Sequence, residues 1–340
     1  MAFQLSLHDY LIPLLKTLYV DQMMTKGYGR RVLGSLRSLD DLSRGGYPGL
    51  SSYPRVLGRD LSGEVLAVGR GVTRVRPGDE VWGALHPSAE GSHQELCVAS
   101  EESVSLKPGC VTHLEAASVP YAGLTAWAGL QTAGVRRGQR VMVVGGAGGV
   151  GSLATQILAR YYNCDTTVLA SSRHHQLLSE LGATTIIDNR ENVEGVENIE
   201  KMDVILDCAG IGLESMRDHL SVDAVLNRGG RLVSFSSPVL NNTDRLGLLP
   251  GAVTSIESLA RSNKDICKHT QGWGFFQLDC KALELLARLL EKKIIVPTVS
   301  KVFKFSQLPQ AYTEASERGK TVIDMENIAH VESNYVDIDT

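Results

Sequence analysis

Apolar positions in the middle of the chain fall into runs and periods that alternate between strand and helix. Val141 to Val144 form a continuous apolar run and read as a buried strand. Val150, Leu153, Ala154, Ile157, Leu158 and Tyr161 then recur at the spacing of one buried helix face. Thr166 to Ala170 reads as a second strand. His174 to Leu181 reads as a helix, closed by Gly182 in the C-cap role that glycine favours. Thr184 to Ile187 is a third strand. Asp203 to Ala209 is a fourth, almost continuously apolar, as a parallel strand covered on both faces should be. Arg231 to Phe235 is a fifth. Arg190 to Lys201 is charged and aperiodic and reads as a surface helix or loop. The alternation predicts a doubly wound parallel sheet with right-handed crossovers.

Before about Tyr121 the pattern changes. Leu61 to Val68 and Asp79 to Trp82 are short β-like runs separated by Pro and Gly, an all-β signature, and Ile294 to Phe305 has the same character. The simplest arrangement wraps a β-rich domain, drawn from both ends of the chain, around a central domain of alternating strands and helices. The expected boundaries are 1–120 for the β-rich part, 121–265 for the sheet of alternating elements, and 266–327 for a return segment. Residues 328–340 lack an apolar period and are expected to be disordered. Near the start, apolar Leu11 to Leu15 precede Lys16, Lys26, Arg30 and Arg31, the reverse of a secretory signal. Asp9 and Asp21 interrupt any organelle-targeting reading, which leaves an irregular start to the first domain.

Between the first strand and its helix lies Gly146-x-Gly148-x-x-Gly151. Strand, glycine turn and helix in that order form a dinucleotide fingerprint. The first glycine permits a tight turn, the second lets backbone approach a pyrophosphate, and the third lets helix and strand pack closely. The helix N-terminus offers unpaired N–H groups and partial positive charge. An NAD site usually has a carboxylate at the end of the second strand, bonded to the ribose 2′-hydroxyl. Here that position reads Ala170-Ser-Ser-Arg-His174, without a carboxylate. Ser171, Ser172 and Arg173 read as a cradle for a 2′-phosphate, hence NADPH rather than NADH. The alternative is that Arg173 is a solvated first-turn residue of the next helix.

Composition narrows the options. A length of 340 residues favours two domains, and 43% apolar residues support a real core. A net charge of −4 argues against a nucleic-acid partner. The six cysteines contain no C-x-x-C spacing, and no apolar run approaches the ~20 residues of a membrane span.

Five stretches together resemble the medium-chain dehydrogenase/reductase superfamily, in its zinc-free quinone oxidoreductase branch. They are Leu57-Gly-Arg-Asp-Leu-Ser-Gly63, Arg76-Pro-Gly-Asp-Glu-Val-Trp82, Val119 to Trp127, the glycine loop, and Arg318-Gly-Lys-Thr-Val-Ile323. The resemblance runs from about Tyr28 to Met325. It implies an α/β protein with a Rossmann doubly wound parallel sheet plus a β-rich GroES-like domain, passing hydride from NADPH to a quinone, enone or similar conjugated carbonyl. Asn242 to Gly247 and Gly272 to Phe276 look most like mitochondrial members of the branch. That likeness implies a mitochondrial location, a link to ubiquinone metabolism and a reticulon-type partner. Members often form homodimers through an edge strand, which places the pairing region near Val233 to Pro238.

The resemblance also carries cofactor roles onto this chain. Ala147, Gly148, Gly149 and Val150 match the pyrophosphate loop, and Ser171 matches the ribose-phosphate serine. Asn189 stands where relatives often have tyrosine, and Cys208 where they commonly have asparagine. Phe235 matches the end of the fifth strand. Gly274 and Phe276 match a loop near the nicotinamide, Arg318 a C-terminal contact, and Thr125 a nicotinamide-ribose contact. Phe276 and Thr125 read equally well as core packing.

Zinc-dependent relatives place His-Glu where this chain has Arg59-Asp60, and a guanidinium cannot ligate zinc. His93 and Cys97 resemble a ligand pair, but read better as a surface histidine and a buried cysteine on a strand. Tyr28, Tyr53 and Tyr121 are candidate proton donors, none singled out by spacing. Zinc-free relatives usually carry Asn-Pro-x-Asp where this chain reads Leu18-Tyr-Val-Asp21. The first domain therefore reads as truncated or rerouted. This motivates a second expectation, a regulatory NADPH-binding protein with little turnover.

Overall fold

The computed structural model describes residues 17–21, 23–26, 56–86, 89, 91–94, 96–188, 200–210, 222–235, 270–314 and 318–325. The expectations for Leu11 to Leu15, Tyr28, Tyr53, Asn189, most of Arg190 to Lys201, Asn242 to Gly247 and the tail from 328 lie outside the described residues.

The β-rich part opens with β1 (Thr17–Asp21), β2 (Met23–Lys26), β3 (Asp60–Val68), β4 (Glu80–Ala84), β5 (Leu96–Ser100) and β6 (Val104–Leu106). A short helix α1 (His113–Ala116) and a long one, α2 (Pro120–Ala133), follow. The alternating region contains β7 (Arg140–Val144), α3 (Gly149–Gln156), β8 (Asp165–Ala170), α4 (His175–Glu180), β9 (Thr185–Asp188), β10 (Met202–Asp207), α5 (Val222–Val225), β11 (Leu226–Ser234) and β12 (Thr270–Trp273). The chain returns through α6 (Cys280–Glu291), β13 (Val299–Lys304), α7 (Leu308–Thr313) and β14 (Lys320–Asp324).

Among the described residues, six strands pair in parallel in the order β12-β11-β10-β7-β8-β9. This is the doubly wound order in which direction of winding reverses between β7 and β10, and the crevice at their carboxyl ends is where such sheets bind ligands. The other eight strands form a mixed sheet along β13-β14-β2-β3-β1-β5, with β4 joined to β3 and β6. Its pairs are antiparallel except β13 with β14.

Local chemistry explains the element ends. Asp279 caps α6 by accepting N–H groups from Lys281 and Ala282. Ala282, Leu283, Leu286, Leu289 and Leu290 place one buried stripe of α6 against α2, so close that a Cβ at Gly123 would meet Leu286 Cδ1 at 2.8 Å. Gly134 ends α2 at φ +57°, the left-handed cap that glycine takes without strain. The largest core joins α2, α3, α6 and one face of the parallel sheet to Trp82 and Ala84 of β4, so the two parts share buried surface.

Three sequence readings are corrected. The helix expected to run through Tyr161 is α-helical only to Gln156, then widens into a π-helical turn over Ile157–Tyr161. The periodicity could not reveal this, because the buried residues keep nearly the same face. The parallel sheet continues past 266, where the return segment was placed, since Thr270–Trp273 pairs with β11. For the same reason the fifth strand, β11, is flanked on both sides, and β12 and β9 are the edges among the described residues.

Candidate functional site

The glycine turn sits at the reversal point. Gly145, at φ +78°, makes the tight turn, a role the sequence placed on Gly146. A Cβ at Gly146 would instead meet Val168 Cγ1 at 2.3 Å, so this glycine lets the turn lie against β8. A Cβ at Gly151 would meet the Gly145 carbonyl oxygen at 2.3 Å, the helix-to-turn packing expected of the third glycine. At Gly148 a Cβ would approach only that same oxygen, at 3.5 Å, so the space over its Cα is open, while its N–H is given to the Gly145 carbonyl at 3.2 Å. Helix α3 begins directly after it. The first N–H groups of a helix lack intrahelical partners, so this end can receive a pyrophosphate. The open face of Gly148 and the helix end fit a dinucleotide.

The second strand ends as expected at Ala170, and Ser172 to His174 form one tight turn before α4. Ser171 is half-buried, whereas Ser172 and Arg173 are exposed. His174 is buried and accepts Arg173 Nε–H at 3.2 Å. Burial first, then the charges of Arg173 and Arg318, hold its imidazole below the usual histidine range. The charge of Arg318, distant in sequence, is thus felt at His174. One carboxylate is also present: Asp188 at the end of β9 accepts the Ser172 N–H at 3.0 Å. Sequence reasoning searched only the end of the second strand and missed it.

The remaining candidates divide. The Cys208 side chain is buried, which pushes its thiol well above the usual range, and its N–H is given to Val144 at 3.0 Å. Only its carbonyl faces the question of cofactor contact. Phe235 is a packing residue: its ring fills the space beside Gly129 and Gly274, where added Cβ atoms would meet it at 2.2 and 2.5 Å. Gly274 is held by its N–H to the Ser234 carbonyl. Phe276 stacks on Tyr121 with centroids 4.1 Å apart and planes 9° apart, which brings a residue of the cofactor set against a tyrosine considered as proton donor. Thr125 donates its hydroxyl to the Tyr121 carbonyl at 2.6 Å, one turn back along α2. His93 is buried rather than on the surface, and its Nδ1 is 3.1 Å from Tyr312 Oη.

Two charged residues escaped the sequence reading. Gly319 pairs with the loop, giving its N–H to the Ala147 carbonyl at 2.8 Å. The next residue, Lys320, crosses the start of α3, where a Cβ at Gly149 would meet its Cδ at 2.9 Å. Its Nζ reaches Asp60 Oδ2 at 2.9 Å, with both side chains 3% exposed. Their proximity had no signal beyond membership in two separate motifs.

Comparison with known proteins agrees with this geometry. A family profile described as "Alcohol dehydrogenase GroES-like domain" matches residues 35–166, and another described as "Zinc-binding dehydrogenase" matches 181–323. The mitochondrial NAD(P)H oxidoreductase RTN4IP1 of Danio rerio is 34% identical over 316 residues, covering 89% of this chain and 80% of the relative. Its Homo sapiens counterpart is 33% identical over 319 residues, covering 90% and 78%. The chain belongs to the medium-chain dehydrogenase/reductase superfamily. A solved member of like architecture, the quinone oxidoreductase from Coxiella burnetii, superposes with a TM-score of 0.72 at 27% identity, covering 91% of this chain and 90% of that one. In this medium-chain dehydrogenase/reductase, Arg59 donates to the carbonyls of His86 and Ala89, at 3.2 and 2.8 Å, while Asp60 faces Lys320. Among the described residues no three His, Cys, Asp or Glu side chains converge as a metal site, and no helix is long and apolar enough to cross a membrane.

Proposed function

We propose that this protein is a zinc-independent oxidoreductase that reduces a quinone or another conjugated carbonyl with NADPH. The reading is carried by the open face of Gly148 at the α3 N-terminus, next to the carboxyl end of β7, and by the Ser171–Arg173 turn that follows the neighbouring strand β8. The superfamily membership and the names of the NAD(P)H oxidoreductase relatives support it.

The backbone of Ala147 to Val150 receives the pyrophosphate. Ser171, Ser172, Arg173 and Arg318 receive the adenosine ribose and its 2′-phosphate. A charged hydrogen bond of this kind contributes about 1.5–3 kcal/mol, roughly ten- to a hundredfold in affinity. Asp188 ends the third strand rather than the second, where an NAD-type carboxylate stands, and its Oδ2 accepts the Ser172 N–H. Gly274, the Phe276–Tyr121 stack and Thr125 border the nicotinamide end and keep water from it. Bound NADPH supplies the hydride. A conjugated carbonyl accepts it without a metal, and its oxyanion takes a proton from water. Arg59 in the position of a ligating histidine supports zinc independence. The relatives' names support a mitochondrial location, while a homodimer, a reticulon-type partner and a role in ubiquinone metabolism extend the same reading.

The test follows nicotinamide absorbance with NADPH or NADH, with and without a quinone. Quinone-dependent loss of NADPH, faster than of NADH, is expected. Tight NADPH binding without turnover on quinones or enones would replace the enzyme with the regulatory nucleotide-binding protein. Failure to bind either nucleotide would remove both readings.

A further inference from the structure

His174 is 7% exposed, and its Nε2 lies 3.2 Å from Arg173 Nε. A guanidinium nitrogen can only donate, so His174 Nε2 accepts and the neutral ring carries its hydrogen on Nδ1. That Nδ1 is buried and has no hydrogen-bond partner. Buried donors are nearly always satisfied, so an orphan of this kind calls for a partner from outside the chain. The surroundings define the partner's chemistry. Arg173 shares the turn, and the charge of Arg318, from the segment preceding β14, also acts on the ring. The other titratable groups at the turn, among the described residues, are His175 and Asp188, whose carboxylate is directed to the Ser172 N–H. An unused donor in the field of two permanent cations suits an anion with several acceptor oxygens.

We propose that His174 is a proton-coupled ligand of the adenosine 2′-phosphate: neutral and bonded to Arg173 in the free protein, it donates through Nδ1 to the bound phosphate, takes a proton from solvent at Nε2, and releases Arg173 to the same phosphate. This rests on the NADPH reading above. The release follows from geometry, because an N–H on Nε2 and the N–H of Arg173 cannot point at each other. The proton balance is one proton consumed from solvent per fully protonated site and none released by the protein. The low pKa of the free imidazole, set by burial and by Arg173 and Arg318, keeps it neutral until a dianion compensates the two guanidiniums. NADPH affinity therefore rises as pH falls, and NADH affinity does not. A one-unit rise in the histidine pKa on binding corresponds to a gain of up to about tenfold. A phosphate monoester is itself mostly dianionic above its second pKa of about 6, so the range from pH 6.5 to 8.5 isolates the imidazole.

The experiment is titration calorimetry on the full chain with 2′,5′-ADP and with 5′-AMP, in buffers of different ionisation enthalpy. Proton uptake is expected with 2′,5′-ADP alone. His174→Gln retains an N–H donor and cannot titrate, so uptake and pH slope should vanish while the fold, followed by circular dichroism, persists. His174→Lys should bind 2′,5′-ADP tightly at every pH. A preference for 2′,5′-ADP whose pH slope and proton uptake survive in His174→Gln overturns this proposal alone. Equal affinity for the two fragments overturns the NADPH reading and this proposal with it.

Discussion

Lys320 Nζ lies 2.9 Å from Asp60 Oδ2 across 260 residues of sequence, and the second oxygen of Asp60 accepts the Tyr121 N–H at 2.6 Å. One buried carboxylate thus ties β3 to β14 and caps α2, whose own N-cap residue, Val119, makes no side-chain bond. Breaking a buried pair by removing one partner costs about 3–5 kcal/mol, because the other charge stays buried and uncompensated. Asp60→Ala is expected to lower stability by about that amount in urea denaturation. The double variant Asp60→Leu/Lys320→Met should recover much of the loss, since it leaves no unpaired charge. Single-variant losses below about 1 kcal/mol, or strictly additive losses, would show that the pair does not hold β14 to β3.

The glycine loop separates fold from binding. Gly148 is extended, at φ −73° and ψ 173°, and a Cβ there meets nothing nearer than 3.5 Å. Gly148→Ala should change stability by no more than about 1 kcal/mol, the scale of an N-cap change. It should still weaken NADPH binding by about tenfold or more, the cost of about one lost hydrogen bond to a charged group, because the added methyl stands where the pyrophosphate approaches. Gly151→Ala, with its Cβ 2.3 Å from the Gly145 oxygen, should instead destabilise the fold by about 1–3 kcal/mol through overpacking. Thermal unfolding paired with nucleotide titration distinguishes the two. Identical behaviour of both variants would remove the separate roles assigned to these glycines.

Much of this was legible in the sequence because it is local. The apolar runs Val141 to Val144 and Asp203 to Ala209 and the glycine turn between strand and helix carry their own periodicity, and the observed strands begin and end within a few residues of it. Strand β12 was not legible: Thr270–Trp273 has no alternation, and its extended form comes from pairing with β11. Phe235 was drawn into the cofactor set by its position at a strand end, yet the missing side chains of Gly129 and Gly274 make room for its ring. Lys320 and Asp60 each sat in a motif, but their meeting is a property of tertiary structure. The unsatisfied nitrogen of His174 needed the position of Arg173 to fix the tautomer.

Arg173 provides the test of nucleotide choice. It is exposed at the turn and donates to His174 at 3.2 Å, and circular dichroism of the variant checks that the fold is kept. Arg173→Glu substitutes repulsion for attraction at the 2′-phosphate. Affinity for NADPH should fall by about ten- to a hundredfold, with a much smaller change for NADH. Fluorescence titration with both nucleotides measures the ratio. Equal losses would return Arg173 to the role of a solvated first-turn residue.

The histidine at this turn also predicts how the nucleotide-free protein responds to acid. Its folded pKa lies below the ordinary value of 6.5, first through burial and then through Arg173 and Arg318. Below 6.5 the unfolded chain therefore binds a proton that the folded chain refuses, and stability falls as pH drops from 6.5 toward the folded value. Above 6.5 the group is neutral in both states and contributes no slope. Glu80 has the same direction in a different window. Hydrogen bonds from His113 and Lys107 hold it below its ordinary 4.5, so its contribution is lost only as pH falls beneath that point. Melting temperatures at half-unit intervals from pH 5 to 8 should rise to a plateau near 6.5 in the wild type. The curve for His174→Gln should be flatter over that interval and parallel to the wild type above it. Saturating NADPH should remove the wild-type deficit at the acidic end, because the bound phosphate favours the protonated ring, whereas NADH should leave it. Superimposable nucleotide-free curves for wild type and His174→Gln would mean that the folded ring accepts its proton as readily as the unfolded one, and that the two arginines do not crowd it.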